Sequence, residues 1–252
     1  MTKDLQGKVA IVTGAAGGIG SATARLFAEQ GASIVLADLD EAGAKRVADS
    51  IGSAAVAAKA DVTRESDVKA LVAAALSRFG RLDILHNNAV TASVADTDTL
   101  GTPDPVWQAT FEVVVMAAVY GCRHAIPAMR ESGGGSIINM SSGAAHHPTG
   151  SRIAYGTCKA AVETFSAYTA AMYGEQGIRS NVVSPGFVLT PATRALFDAE
   201  QLSAFAATAA AGRVATPEDV AQVVAYLASD AAAYVSGQVV TVNGGGNKGV
   251  RW

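Results

Sequence analysis

Val9-Ala10-Ile11-Val12-Thr13-Gly14-Ala15-Ala16-Gly17-Gly18-Ile19-Gly20 is the segment most diagnostic of the fold of this chain. Its first five residues form a short apolar run rich in β-branched side chains, which is typical of a buried strand. Glycines follow at positions 14, 18 and 20, and a helix-like segment begins at Ser21. Glycines allow a tight turn and let the backbone approach a phosphate at a helix N-terminus. This order of strand, glycine loop and helix indicates the first unit of a dinucleotide-binding α/β fold.

Six further strand-like runs follow, and helical stretches separate them. The runs are predicted at residues 33–38, 54–60, 82–86, 136–140, 180–183 and 238–242. Near-continuously apolar strands that alternate with helices indicate a parallel sheet covered on both faces. We therefore predict one doubly wound Rossmann-type domain over residues 1–252, with a seven-stranded parallel sheet. The sequence Thr216-Pro217-Glu218-Asp219 predicts a helix start, with the threonine as N-cap.

The composition suits a globular protein without a nucleic-acid or metal partner. Half of the 252 residues are hydrophobic, 16% are charged, and the formal net charge is −3. No basic cluster suggests nucleic-acid binding, and the four histidines lack metal-ligand spacing. Cys122 and Cys158 are expected to be reduced and buried in helices. We find no secretory signal and no apolar run of the ~18 residues that span a membrane, so we expect a metal-free cytoplasmic protein.

A second group of residues lies in the middle of the chain. Tyr155 precedes Lys159 by four residues, so both side chains lie on one face of a helix. Ser142 ends a strand-like run thirteen residues before the tyrosine. Oxidising an alcohol requires a base for its hydroxyl proton, and an ammonium one turn away stabilises a phenolate. These three are the candidate catalytic residues, with the serine hydroxyl holding the substrate oxygen.

Together, the glycine loop and the spacing of Ser142, Tyr155 and Lys159 resemble the short-chain dehydrogenase/reductase family, nearly end to end. The resemblance implies reversible hydride transfer between a nicotinamide cofactor and an alcohol or ketone. In that scheme Tyr155 takes the hydroxyl proton, Ser142 orients the substrate oxygen, and Lys159 stabilises the phenolate and binds the nicotinamide ribose. Family members are commonly homotetramers, and the small, apolar helix segment at residues 160–168 suits such contacts.

Asp38 determines which nicotinamide cofactor we expect. It closes the second strand, and a carboxylate there accepts both adenosine ribose hydroxyls and repels a 2′-phosphate. No basic residue lies at Ala15-Ala16 or directly after Asp38, so NAD is predicted over NADP. By resemblance, the other cofactor-binding residues are Gly14, Gly18, Ile19, Gly20, Leu39, Asp61, Val62, Asn88, Ala89, Tyr155, Lys159, Pro185, Gly186, Val188 and Thr190.

The chain departs from the family pattern at two positions. The glycine that usually follows Asn87-Asn88-Ala89 is replaced by Val90, which disfavours positive φ. Either the backbone there is extended or the loop is shifted. An asparagine that helps to hold a water in the family's proton path is replaced by Val114, whose side chain cannot hydrogen-bond. Either backbone carbonyls hold that water or the relay is weakened.

The substrate end is the least constrained part of the sequence. Residues 190–216 match the family's variable lid. An apolar wall is predicted there, although at least two of its residues are expected to pack the lid onto the body; the wall residues are Leu196, Phe197, Leu202 and Phe205. Without a basic cluster, we predict a neutral, apolar secondary alcohol or ketone. His146 and His147 are expected to be solvated loop residues, with a place at the pocket mouth as the alternative.

Two other functions fit the same residues. An NADPH-dependent 3-oxoacyl thioester reductase would share all these motifs. A weakly catalytic NAD-binding protein would account for Val90 and Val114. Hydride transfer to or from a panel of alcohols separates an enzyme from a binding protein, and the cofactor preference separates the two enzymes.

Overall fold

The computed structural model describes residues 4–148 and 151–246, and seven of its strands form one sheet. All neighbouring strands are parallel, in the order β3-β2-β1-β4-β5-β6-β7. The strands are β1 (Val9–Thr13), β2 (Ser33–Asp38), β3 (Ala55–Lys59), β4 (Ile84–Asn87), β5 (Gly135–Met140), β6 (Ile178–Pro185) and β7 (Val239–Val242). The predicted doubly wound sheet is therefore confirmed, and each predicted strand boundary lies within two residues of the observed one.

Helices cover both faces of the sheet. They are α1 (Gly18–Glu29), α2 (Glu41–Ile51), α3 (Glu65–Phe79), α4 (Asp104–Phe111), α5 (Ala117–Glu131), α6 (Ile153–Tyr173), α7 (Pro191–Arg194), α8 (Ala199–Thr208) and α9 (Pro217–Ala228). One core packs α1, α2 and α9 against the sheet, and the opposite core packs α3 and α5 against it. Because alternate residues of β1 enter opposite cores, every position of that strand is buried and apolar apart from its terminal threonine.

A single helical run joins α4 to α5 through a π-turn at Glu112–Met116. By length and composition this run, Asp104–Glu131, passes the test for a membrane-crossing helix, but half of its most apolar window is buried in the fold. The run packs against α3, α6 and β4 as a core helix of the domain. Both cysteines lie buried in helices of the described chain, as predicted, with free thiols at Cys122 and Cys158.

The topology fixes where a ligand can bind. The strand order reverses direction between β1 and β4, which places a crevice at the carboxyl ends of these two strands. The glycine loop follows the carboxyl end of β1, and the loop that carries Ser142 follows the carboxyl end of β5. All the predicted functional segments therefore meet on one side of the sheet.

Candidate active site

The glycine loop forms a tight cradle at the start of α1. Gly14 adopts a φ of 63°, in the left-handed region that favours glycine. A Cβ on Gly20 would collide with the Gly14 carbonyl oxygen, so this position also requires glycine. Since the first turn of α1 carries no acidic residue, its positive end is not neutralised by the chain's own carboxylates. The loop thus retains the features that bind a pyrophosphate.

Asn88 holds this loop in place from β4. Its Nδ2 donates to the Thr13 and Gly14 carbonyl oxygens at 3.0 and 3.1 Å, and its main-chain N–H donates to the Thr13 hydroxyl at 3.0 Å. The residue predicted to contact the cofactor therefore also fixes the geometry of the glycine loop.

The nucleotide cleft has a volume of about 540 Å³ and runs past the ends of β1 to β4. Most of the predicted cofactor-binding residues line it: Gly14, Gly18, Ile19, Asp38, Leu39, Asp61, Val62, Asn88, Ala89 and Thr190. The Asp38 carboxylate accepts the N–H groups of Ala16 and Asp40 at 2.9 and 3.0 Å, which holds it at the cleft wall. A glycine cradle, an unneutralised helix end and a fixed carboxylate fit an adenine dinucleotide.

Val90 lines the same cleft with 57% of its surface exposed. Among the described non-glycine residues, only Arg152 has a positive φ, so the backbone at Val90 lies outside the left-handed region. The valine is therefore tolerated without the strain that a glycine conformation would impose.

Helix α6 carries Tyr155 at its N-terminal end and Lys159 one turn later. Lys159 is buried, its Nζ donates to the Met140 carbonyl oxygen at 2.6 Å, and the same Nζ lies 5.6 Å from the Tyr155 ring centroid. Burial, which penalises the charged form, lowers the pKa of Lys159 to about 8. Lys159 therefore lies near the Tyr155 ring and is hydrogen-bonded to the last residue of β5.

Ser142 is half-buried directly after β5 and caps a 3₁₀ turn at Gly143–Ala145, where its hydroxyl accepts the Ala144 N–H at 3.3 Å. This turn packs closely on α6, because a Cβ on Gly156 would lie only 2.8 Å from the Ala144 carbonyl oxygen. Gly156, which the sequence analysis did not single out, lets the serine loop approach α6.

Glu163, on α6, connects this helix to the loop that carries Ser142. Its carboxylate accepts the Ser141 hydroxyl at 2.5 Å and contacts the His146 Nε2 at 2.8 Å. Both loop histidines are exposed, as predicted, but His146 makes this ion-pair contact and His147 lines the cleft beside Ser142. These contacts could not be predicted from local sequence patterns, because the two segments meet only in the folded chain.

A second cleft, the candidate substrate cleft, has a volume of about 570 Å³ and contains Ser142, Pro185 and Gly186 in its lining. The rings of Phe187 and Phe205 line the cleft and stack with their centroids 4.0 Å apart. Phe187 was missed by the sequence analysis, although it follows Pro185-Gly186 directly.

The four predicted wall residues have different environments, and Leu202 is half-buried without lining the cleft; the expectation that at least two of them pack the lid onto the body stays a prediction. Phe205 lines the cleft, while Phe197 packs edge-on against both Phe187 and Phe205. Leu196 is 73% exposed. The wall is therefore aromatic, and only some of the lid's apolar residues face the cleft.

A small cavity of about 20 Å³ lies beside Lys159 and beneath the π-turn. Val114, Asn87 and Met140 are among its lining residues, and Val114 is only 5% exposed. A cavity of this size holds about one water molecule. Val114, which occupies the position of the family's asparagine, therefore lines the same small cavity as Lys159.

Known proteins resemble this chain over nearly its whole length. A family model described as enoyl-(acyl carrier protein) reductase matches residues 14–247. The cis-4-hydroxycyclohexanecarboxylate dehydrogenase of Sinomonas cyclohexanicum is 40% identical over 94% of this chain and 96% of its own length. The cyclohexanol dehydrogenase of an Acinetobacter strain is 36% identical over 97% and 96%. The D-threitol dehydrogenase of Mycolicibacterium smegmatis is 37% identical over 96% and 93%.

A solved structure matches the fold equally well. The crystal structure of a short-chain dehydrogenase/reductase from Brucella melitensis, described as a glucose/ribitol dehydrogenase, superposes with a TM-score of 0.88 at 32% identity. The superposition covers 97% of this chain and 98% of that one.

Proposed function

Because the chain belongs to the short-chain dehydrogenase/reductase family, we propose that it oxidises a neutral, apolar secondary alcohol to the ketone, reversibly and with NAD. It is an oxidoreductase that transfers hydride between a nicotinamide cofactor and a secondary alcohol. The observation that carries the proposal is the Tyr155–Lys159 pair on one turn of α6, with Ser142 in the lining of an aromatic cleft that lies at the same end of the sheet as the glycine-cradled nucleotide cleft.

The proposed mechanism assigns one task to each side chain. The Ser142 hydroxyl donates to the substrate oxygen and orients it. The Tyr155 phenolate takes the hydroxyl proton as the carbonyl forms, and the Lys159 ammonium stabilises that phenolate and binds the ribose. When bound, the nicotinamide supplies the carbon that accepts the hydride. In the reverse direction the phenol returns its proton to the ketone oxygen.

The preference for NAD rests on Asp38. Its carboxylate is fixed at the cleft wall by two main-chain N–H groups, beside the 64% exposed Leu39. A negative charge there accepts ribose hydroxyls and repels a 2′-phosphate. This argument favours an NAD-dependent alcohol dehydrogenase over the NADPH-dependent thioester reductase.

The choice of a cyclic or other apolar alcohol rests on the cleft wall. Phe187 and Phe205 present stacked rings to the cleft. Of the two arginines in its lining, Arg213 is paired with Asp219 through contacts of 2.6 and 2.7 Å, and the guanidinium of Arg152 lies over the Tyr155 ring. Two relatives are named for alcohols on six-membered rings, cyclohexanol and cis-4-hydroxycyclohexanecarboxylate. We propose that residues 190–216 act as the lid over this cleft.

A panel of cyclic and open-chain secondary alcohols, assayed with NAD and with NADP, tests the proposal. We expect turnover of at least one cyclic alcohol with NAD. Tyr155→Phe should lower kcat by about 10²–10⁴ while NAD still binds, because only the proton acceptor is lost. Tyr168→Phe is the matched control, since it makes the same change on an exposed part of the same helix. More than a tenth of the wild-type rate in Tyr155→Phe would contradict the assignment.

We further propose a cytoplasmic homotetramer. Two separate faces of the chain expose large apolar side chains, as contact surfaces between subunits do. One face includes Phe111, Tyr168 and Met172 on α4 and α6, and the other includes Tyr226 and Val239 on α9 and β7. Two such faces on one chain suit assembly about two different two-fold axes.

A further inference from the structure

Asp96 lies in the long connection after β4, yet its carboxylate contacts the catalytic helix. The residue is 5% exposed. Its Oδ1 accepts the Ala154 N–H and its Oδ2 accepts the Tyr155 N–H, both at 2.9 Å. The main-chain carbonyl of Asp96 accepts the Arg152 N–H at 3.0 Å. Three bonds from one residue therefore fix the first turn of α6, including the backbone of Tyr155 itself.

Helix α6 has no local side-chain cap, because the side chain of its N-cap residue accepts no hydrogen bond from the first turn. Arg152 occupies the N-cap position without a side-chain cap, in a left-handed conformation at φ 69°. That conformation is unfavourable for a residue other than glycine, asparagine or aspartate. The first N–H groups of a helix otherwise lack partners, and a carboxylate is the strongest acceptor for them. Asp96 supplies the missing cap from 58 residues upstream.

The left-handed backbone of Arg152 has a consequence for the tyrosine ring. It leaves the guanidinium over the Tyr155 ring, with Cζ 4.2 Å from the centroid. An arginine over an aromatic face is attracted to it and restricts its movement. Lys159 lies 5.6 Å from the same centroid, so two cations flank one phenol.

We propose that Asp96 is a positioning residue for Tyr155, acting through the first turn of α6 and through the arginine that this turn places on the phenol ring. The carboxylate fixes the backbone of Tyr155 and Arg152, and the guanidinium fixes the ring. Asp96 lines neither cleft, so its effect falls on the orientation of the base. Arg152 does line the candidate substrate cleft, so the alcohol KM of Arg152→Asn is measured beside kcat, and a KM within threefold of wild type separates positioning of the ring from substrate binding. This inference rests on the proposed function, in which Tyr155 is the base.

The first test compares two aspartates of the same connection. Asp96→Asn keeps the size of the side chain but presents an amide donor where the helix requires an acceptor. Asp98→Asn makes the same change at an exposed carboxylate whose Oδ1 accepts only the nearby Leu100 and Gly101 N–H groups. We expect Asp96→Asn to lower kcat at least tenfold, with the NAD dissociation constant and the alcohol KM within threefold of wild type. Asp98→Asn should stay within twofold in all three.

A second variant separates positioning from stability. Arg152→Asn removes the guanidinium but introduces a residue that tolerates the left-handed region and caps helices well. We expect its thermal midpoint to equal or exceed that of wild type while kcat falls at least fivefold. A purely structural role would move the midpoint and kcat in the same direction. A wild-type kcat in either Asp96→Asn or Arg152→Asn overturns the proposal, as does an equal loss in Asp98→Asn.

The result for Tyr155→Phe keeps the two proposals distinguishable. If Tyr155→Phe is inactive and Asp96→Asn is fully active, the positioning role fails and the proposed function stands. If Tyr155→Phe retains wild-type kcat, the proposed function fails first, and the positioning role falls with it.

Discussion

The buried ammonium of Lys159 makes the stability of the chain depend on pH in a predictable direction. Burial lowers its pKa to about 8, from an ordinary value of 10.5. Below pH 8 the lysine is charged in both the folded and unfolded chains, and the cost of burying its charge is fully present. Between about pH 8 and 10.5 the folded chain binds fewer protons than the unfolded chain. The free energy of unfolding therefore rises with pH across this window.

The size of the effect follows from the two pKa values. They differ by about 2.5, and each unit corresponds to about 1.4 kcal/mol, so the rise is about 3 kcal/mol. Lys159→Met removes the titrating group while keeping an unbranched, apolar side chain of similar length. It also removes the hydrogen bond to the Met140 carbonyl oxygen, which both the ammonium and the neutral amine can donate, so this loss is present across the whole pH range.

Urea unfolding of the cofactor-free protein, at fixed protein concentration and at several pH values from 7 to 10.5, measures the effect. The quantity of interest is the difference in unfolding free energy between wild type and Lys159→Met. Titrations of groups remote from Lys159 cancel in that difference, including that of Cys122, whose pKa burial raises to about 12. Making both proteins in a Tyr155→Phe, Cys158→Ala background removes the two titratable neighbours of Lys159. We expect the difference to increase by about 3 kcal/mol in favour of wild type as pH rises. A difference that is flat or falls with pH refutes the buried-ammonium reasoning.

Three further predictions concern cofactor choice, the proton path and assembly. Wild type should prefer NAD over NADP at least tenfold in kcat/KM, about 1.4 kcal/mol, and Asp38→Ala should narrow that gap; equal kcat/KM for the two cofactors in wild type would contradict the role of this carboxylate. For Val114→Asn we expect an unchanged kcat, because backbone carbonyls near the π-turn are expected to hold the relay water. We also expect a stability loss of about 1–3 kcal/mol, because the substitution buries an amide beside Lys159. A higher kcat, or a steeper acid limb of the pH profile, would instead show that the side chain of the missing asparagine is required. Sedimentation equilibrium at micromolar concentration should give a mass of four chains, and a species of 25.4 kDa would refute the tetramer.

Local sequence patterns were enough to predict the strands of the sheet and the candidate site residues. Apolar runs of strand length are visible locally, because in a parallel sheet both faces of each strand are buried. The glycine loop and the Tyr155–Lys159 spacing are also local, since one depends on backbone freedom and the other on the helical repeat. Thr216 illustrates the same point: it caps α9 with a reciprocal bond to Asp219, as the local sequence predicts.

The contacts that position these residues, and the side chains that line the candidate substrate cleft, became visible only in the folded structure. The Asp96 cap, the stack of Phe187 on Phe205 and the contact of Gly156 with the serine loop each join segments that are separate in the sequence. The same holds for Lys159, since burial in the folded chain is the largest cause of its lowered pKa. Periodicity reports which face of an element is buried, whereas the distance between two segments is set by the packing of the whole domain.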